Sequence, residues 1–108
     1  MLNSDRFRYA KGVVGRFLVM LSWLHERHRD QFAVVVNIKG RGRLYFAKSP
    51  EPLHENGRSV NPKQIPGTDW WVITTSPTIL KQEMLSKVME AFKYTRPEIV
   101  RAQSAIAA

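Results

Sequence analysis

A one-sided repeat of apolar residues near the start of the chain is the strongest constraint on its fold. Between Asp5 and His28 the apolar residues recur at steps of three and four, the period of one face of an α-helix. Its members are Phe7, Ala10, Val13, Val14, Phe17, Leu18, Leu21 and Leu24. We therefore predict an amphipathic helix over Asp5–His28, capped by Ser4 or Asp5. Its other face is basic and predicted to be solvated, with Arg6, Arg8, Lys11 and Arg16.

The segment after this helix allows two interpretations. Its three consecutive valines, 34–36, favour a β-strand. Asp30 is a good N-cap and Gly40 a good residue to follow a helix C-terminus, which favours a helix between them. We prefer the helix.

The remainder of the chain alternates short strands, a loop and helices. Arg43–Ala47 and Trp70–Thr74 are rich in aromatic and large apolar residues, and we predict that they pair as antiparallel strands. Residues 48–69 hold four of the six prolines and are predicted to form loops. Apolar spacing predicts a helix from Thr78, and a last short helix starts at Pro97, with 102–108 frayed. The fold class is α+β, with several helices packed around a small antiparallel sheet.

Charge and composition limit the classes of molecule that this chain is expected to bind. Seventeen Lys and Arg against nine Asp and Glu give a net charge of +8, which attracts polyanions, nucleic acid first and anionic membrane second. No apolar run reaches the length of a membrane span, so we expect no membrane partner. The absence of cysteine fits the cytoplasm and excludes thiolate metal sites and cysteine nucleophiles.

Residues that could support catalysis or metal binding are few. His25 and His28 stand three apart, as a metal pair can, but they lie among charged residues and are interpreted as a solvated helix end. Neither a phosphate-binding loop motif nor a nucleophile elbow is present. We expect no enzyme activity, no metal or cofactor, and no small-molecule substrate.

Two segments could bind an anion. Gly40-Arg41-Gly42-Arg43 would present two guanidinium groups on a tight turn, suited to phosphate or guanine, although a turn with inert arginines fits equally well. In the second segment, Thr74–Thr78, Ser76 can cap the following helix with Pro77 as its first residue. The backbone N–H groups of Thr78, Ile79 and Leu80 would then be available to a phosphate, with Lys81 close by.

The chain resembles the C-terminal DNA-binding domain of the SeqA family, which sequesters newly replicated bacterial origins. The resemblance runs from about Asp5 to Val100. It is carried by R-F-L-V-M-L-S-W-L, G-R-G-R-L-Y-F and above all P-K-Q-I-P-G-T-D-W-W-V-I-T. It implies several helices around a three-stranded antiparallel sheet. For Gln31–Lys39 it favours a helix rather than a strand. The family's N-terminal oligomerisation domain and linker have no counterpart here, so 1–108 is expected to be a single SeqA-C-like domain.

The resemblance also implies a function, the binding of double-stranded DNA at GATC sites methylated on one strand. Arg41-Gly42-Arg43 matches the family's backbone-holding turn, while Thr75-Ser76-Pro77 stands where the family has the base-reading Asn-Thr-Asn. Asparagine can grip a base edge with a donor and an acceptor together, which threonine and proline cannot do. We therefore expect DNA-backbone binding with altered base readout, in a cytoplasmic, nucleoid-associated regulator of replication. The expected DNA contacts are Arg41, Gly42, Arg43, Thr74, Thr75, Ser76, Thr78 and Lys81.

Two other functions are open. A protein-interaction module that has lost DNA reading would use exposed tryptophans among Trp23, Trp70 and Trp71, although burial is their usual fate. Binding of the basic first helix to an anionic membrane surface is the weaker option, since that helix lacks flanking tryptophan anchors beyond Trp23.

Overall fold

The computed structural model describes residues 10–40, 43–53, 62–75 and 77–107. These residues form three α-helices, two 3-10 helices and five strands of two residues each. In chain order the elements are α1 (Gly12–Arg27), a 3-10 helix (Phe32–Asn37), β1 (Lys39–Gly40), β2 (Arg43–Leu44), β3 (Phe46–Ala47), a 3-10 helix (Glu51–Leu53), β4 (Lys63–Gln64), β5 (Trp71–Val72), α2 (Thr78–Ala91) and α3 (Arg96–Ala107).

Helix α1 confirms the predicted apolar face but not the predicted start. Phe17, Leu21 and Leu24 are fully buried. Residues 10 and 11 are not helical, because Gly12 adopts a left-handed φ of 66° and the chain enters the helix from an extended segment. The proposed caps Ser4 and Asp5 lie outside the described residues.

One residue of the predicted solvated basic face is instead part of the helix packing. The Nε of Arg16 donates a hydrogen bond of 3.0 Å to the Ile106 carbonyl on α3, so this arginine ties the first helix to the last.

The segment after α1, for which both a helix and a strand are possible from sequence, contains one of each. Residues Phe32–Asn37 form a 3-10 helix, and this period of three buries Phe32 and Val35 while leaving Val34 and Val36 partly exposed. Gly40 does not end a helix as predicted. It lies in the extended segment that follows the valines and pairs with Arg43 in the antiparallel β1–β2 pair.

The larger sheet has three antiparallel strands, as the family resemblance implied, and their order is β3-β5-β4. The predicted pairing of 43–47 with 70–74 is confirmed in the register Phe46 opposite Val72 and Ala47 opposite Trp71. The predicted strand is divided at Tyr45, because its first half pairs with β1 instead. Strand β4 lies inside the region predicted to be loop and pairs Lys63 with Val72.

Helix α2 begins at Thr78 as predicted and ends with a left-handed residue. Lys93 has a φ of 65°, a conformation that glycine usually occupies. The N–H groups of Lys93 and Tyr94 donate to the carbonyls of Glu90 and Met89, each at 3.0 Å. These bonds satisfy carbonyls that the end of a helix would otherwise leave without a donor.

Helix α3 is longer than predicted. It continues to Ala107, and the predicted fraying from Ala102 onward is wrong, because Ala102 and Ile106 are buried against the other helices. The side chains of Gln82 on α2 and Gln103 on α3 exchange hydrogen bonds of 2.9 Å with each other's carbonyl. In the described ranges, no helix has the length and apolar content needed to cross a membrane.

Candidate nucleic-acid interface

The candidate site is the corner where β5 passes into α2, residues 73–78. The N–H of Ile73 donates to the Tyr45 carbonyl at 3.1 Å, and Ile73 and Thr74 are buried, so the end of the strand is fixed in the core. Thr75 and Pro77 are exposed and Thr78 is half-buried. Of the three predicted threonine contacts, Thr75 is therefore the one most accessible to a ligand.

The start of α2 at Thr78 agrees with the apolar spacing but differs by one residue from the capping prediction, in which Ser76 was the cap and Pro77 the first helical residue. Pro77 has an extended ψ of 159° and occupies the cap position, so Thr78 rather than Pro77 is the first helical residue. The predicted cap Ser76 lies outside the described residues. The N–H of Leu80 donates to the Pro77 carbonyl at 3.0 Å, so it is not available to an anion as predicted. For the N–H groups of Thr78 and Ile79, phosphate binding stays a prediction.

Lys81 joins the two arms of the corner. It is only 3% exposed, and its Nζ donates a hydrogen bond of 2.9 Å to the carbonyl of Thr74. The bond connects the end of the strand to the first turn of the helix, which holds the exposed residues between them in place. In this arrangement the ammonium group points at the protein's own backbone. Contact of Lys81 with a phosphate remains a prediction.

Burial lowers the pKa of Lys81 below its ordinary value of 10.5, which makes a pH effect testable. Between the lowered value and 10.5 the unfolded chain binds more protons at this site than the folded chain. The free energy of unfolding therefore rises with pH across that window. We expect this rise to be absent from Lys81→Met and retained by the control Lys87→Met, which replaces an exposed lysine of the same helix. Urea unfolding from neutral pH upward measures it, and parallel curves for wild type and Lys81→Met would contradict it.

The place of the Arg-Gly-Arg segment in the fold follows from the residues on either side of it. Arg41 and Gly42 lie outside the described residues, and Arg43 is described by its backbone, which pairs with Gly40. In an antiparallel pair, moving back along one strand and forward along the other leads to the same end. Phe46 lies opposite Val72, so Arg43 and Thr75 both lie three residues beyond this pair, in the same direction. The register thus leads both segments towards the same end of the sheet as far as Tyr45 and Ile73, and Arg43 lies two residues before Tyr45 in the neighbouring strand pair.

Sequence reasoning missed one cation near this end. Lys63 is exposed on the edge strand β4 and lies opposite Val72, two residues before Thr74. Its two-residue strand has no alternating pattern to signal it, and it is held in place by β5. The family-like stretch P-K-Q-I-P-G-T contains this lysine, and that was the available signal.

The histidines predicted at a solvated helix end are packed instead. His28 stacks on Phe92 with ring centroids 4.4 Å apart, and its Nε2 lies 2.9 Å from the Tyr94 hydroxyl. His25 meets Phe32 edge-on at 5.0 Å. The part of the chain that the structure describes contains no cluster of three or more potential metal ligands. Both imidazoles thus contribute to packing around the end of α1.

The tryptophans offer little exposed aromatic surface. Trp70 is 5% exposed and Trp71 is half-buried. Trp23 is also half-buried, packs near Tyr94 and carries the guanidinium of Arg27 at 4.9 Å from its ring centre. The hypothesis of a protein-interaction module was based on exposed tryptophans, and the burial of these side chains removes that basis.

Comparison with known proteins decides the family. The profile described as "SeqA protein C-terminal domain" matches residues 1–104. The chain belongs to the SeqA family. The crystal structure of V. cholerae SeqA superposes with a TM-score of 0.85 at 33% identity, covering 96% of this chain and 89% of that one. This agreement confirms the SeqA-like α+β fold implied by the sequence.

Curated SeqA relatives are similar over most of this chain. A protein of Idiomarina loihiensis named "Negative modulator of initiation of replication" is 47% identical over 93 residues, covering 86% of this chain and 58% of the relative. A protein of Pseudoalteromonas translucida with the same name is 44% identical over 95 residues, covering 88% and 48%. This chain therefore spans about half the length of these curated relatives.

Proposed function

We propose that this SeqA-family domain binds double-stranded DNA with two segments, the Arg41–Arg43 turn and the Thr74–Thr78 corner. The antiparallel register of β3 and β5 carries the proposal, because it leads Arg43 and Thr75 in the same direction from the Phe46–Val72 pair. A turn that holds phosphates and a corner that faces base edges would then contact neighbouring parts of one duplex.

Charge supports a polyanionic partner. The net charge of +8 favours association with the phosphate backbone, and Lys63 adds an exposed cation on the edge strand β4. We assign phosphate contacts to Arg41, Arg43 and Lys63. Lys81 acts chiefly by holding the corner, through its bond to the Thr74 carbonyl.

Base readout is assigned to the exposed part of the corner. Thr75 supplies one hydroxyl and one methyl group, which gives less hydrogen-bond discrimination than an asparagine pair. We therefore propose weak dependence on hemimethylated GATC. The relatives are named as negative modulators of replication initiation, and we propose that this chain acts in the same process on the bacterial nucleoid.

Titration of labelled duplexes tests the proposal. The panel is one sequence with GATC unmethylated, methylated on one strand and methylated on both, together with an unrelated duplex. We expect binding to all four at low salt, with log K falling against log salt with a slope of about −3 to −5 for a handful of phosphate contacts. No binding to any duplex at low salt would refute the function. A strong preference for the hemimethylated duplex would refute the altered readout alone.

A further inference from the structure

We infer that Ile79 is a specificity-determining residue that contacts base methyl groups in the major groove, with the thymine C5-methyl as the main target. The inference rests on the proposed DNA-binding function and adds to it a chemical basis for discriminating between sequences.

Ile79 is unusually exposed for its type. It is 66% exposed, compared with 38% for Val34 and Val36 and 45% for Val100, the other large apolar residues exposed in the described ranges. At about 100° per residue it lies on the side of α2 opposite the fully buried Val88. Its side chain thus contributes little to the core, and it stands in the first turn, directly after the corner.

The surroundings of Ile79 have the character of a base-reading tip. No residue from 73 to 80 carries a charge, in a chain whose net charge is +8. Thr75 and Pro77 are exposed beside it and add a methyl group and a ring to the same surface. This stretch therefore offers no charged side chain to a phosphate, and its side chains suit the apolar parts of base edges.

The next residues along the helix limit the contact to the first turn. Lys81 is buried and bonded to the Thr74 carbonyl, so the tip is held by the protein itself. Glu83 is exposed one turn beyond Ile79 on the same face, where its carboxylate would repel a phosphate. An approach by the helix end, rather than by its side, keeps Glu83 away from the DNA backbone.

Methyl groups are the apolar features that the major groove presents. Thymine displays its C5-methyl there, and apolar side chains recognise it by contact. An N6-methyl group on adenine projects from the same groove and offers the same chemistry. Threonine and proline at the tip cannot form a donor-and-acceptor pair with a base edge. Contact with methyl groups is therefore the discrimination for which Ile79 and its neighbours are best suited.

The test removes the methyl group from the DNA and the isoleucine from the protein. Wild type, Ile79→Ser and the control Val100→Ser are titrated by fluorescence anisotropy against one duplex in three forms. These contain thymine, uracil at every thymine position, or N6-methyladenine in the GATC site. Each methyl contact should favour binding by about fourfold, the effect of burying one such group. We expect wild type and Val100→Ser to prefer the thymine duplex over the uracil duplex, and Ile79→Ser to bind both equally.

The three duplexes distinguish a contact with the thymine C5-methyl from a contact with the adenine N6-methyl. Loss of preference in Ile79→Ser on replacing thymine assigns the contact to the C5-methyl, and loss confined to the methyladenine duplex assigns it to the N6-methyl. If Ile79→Ser retains the wild-type ratios, or wild type shows no methyl preference while still binding DNA, the inference is overturned and the proposed function stands. Failure of wild type to bind any duplex overturns both.

Discussion

The double substitution Arg41→Ala, Arg43→Ala is expected to weaken binding to duplex DNA about 100-fold, because two charge-assisted hydrogen-bonding contacts worth roughly 1.5 kcal/mol each are lost. The salt dependence should decrease with the affinity, by about one unit of slope for each phosphate contact removed. Since phosphate contacts carry no sequence information, the loss should be similar for all duplexes. Anisotropy titrations at several salt concentrations measure both quantities.

A matched control distinguishes the loss of specific phosphate contacts from the loss of net positive charge. Lys93→Ala, Arg96→Ala also removes two positive charges, at exposed positions beyond the far end of α2. The length of that helix places them about 20 Å from its first turn, well beyond the screening length of about 8 Å at physiological salt. The control should therefore lose little affinity. Equal losses in both variants would mean that the Arg41–Arg43 turn is not a specific contact.

Ile106→Ala is expected to lower the free energy of unfolding by about 2–4 kcal/mol, the cost of removing a large apolar side chain from a packed core. Ile106 is fully buried, although it lies near the end of α3. Its carbonyl accepts the bond from Arg16, so a cavity here would also loosen the contact between the first and last helices. Urea unfolding measures the loss.

Ser104→Ala serves as the control for Ile106→Ala, because Ser104 is exposed on the same helix and its replacement should change stability by less than about 0.5 kcal/mol. A loss below about 1 kcal/mol for Ile106→Ala would mean that the last turn is frayed in solution, as the sequence alone suggested.

Elements with an apolar pattern of their own were predictable from sequence, and an element that depends only on pairing with a neighbour was not. The spacing of Phe17, Leu21 and Leu24 identified α1, because a helical face of this length has no other explanation. Strand β4 is two polar residues whose extended form depends on pairing with β5, so no local pattern marks it. In α3 the steps from Ile99 to Ala102 and Ile106 are those of a buried helical face, whereas the expectation of fraying follows only from the position at the end of the chain.

For the candidate site, sequence located the corner but not the roles within it. Residue type identified Thr75 as a polar group after a strand and the Arg41–Arg43 turn as an anion site, and those assignments stay predictions. Lysine is usually a surface residue, so nothing in the sequence indicated that Lys81 is buried and bonded to the Thr74 carbonyl. The exposure of Ile79 was equally hidden, since an isoleucine at a helical position is normally assigned to the core.

The hydrogen bond between Arg16 and Ile106 joins residues 90 positions apart, and this separation bears on how the chain folds. Contacts between residues so distant in sequence require a large loop to close before they stabilise anything, which slows folding. During synthesis at about 5–20 residues per second, α1 would wait several seconds for α3 to emerge. Throughout that interval the part of α1 that packs on α3 lacks its native partner, so this part of its surface stays exposed until the last helix is made.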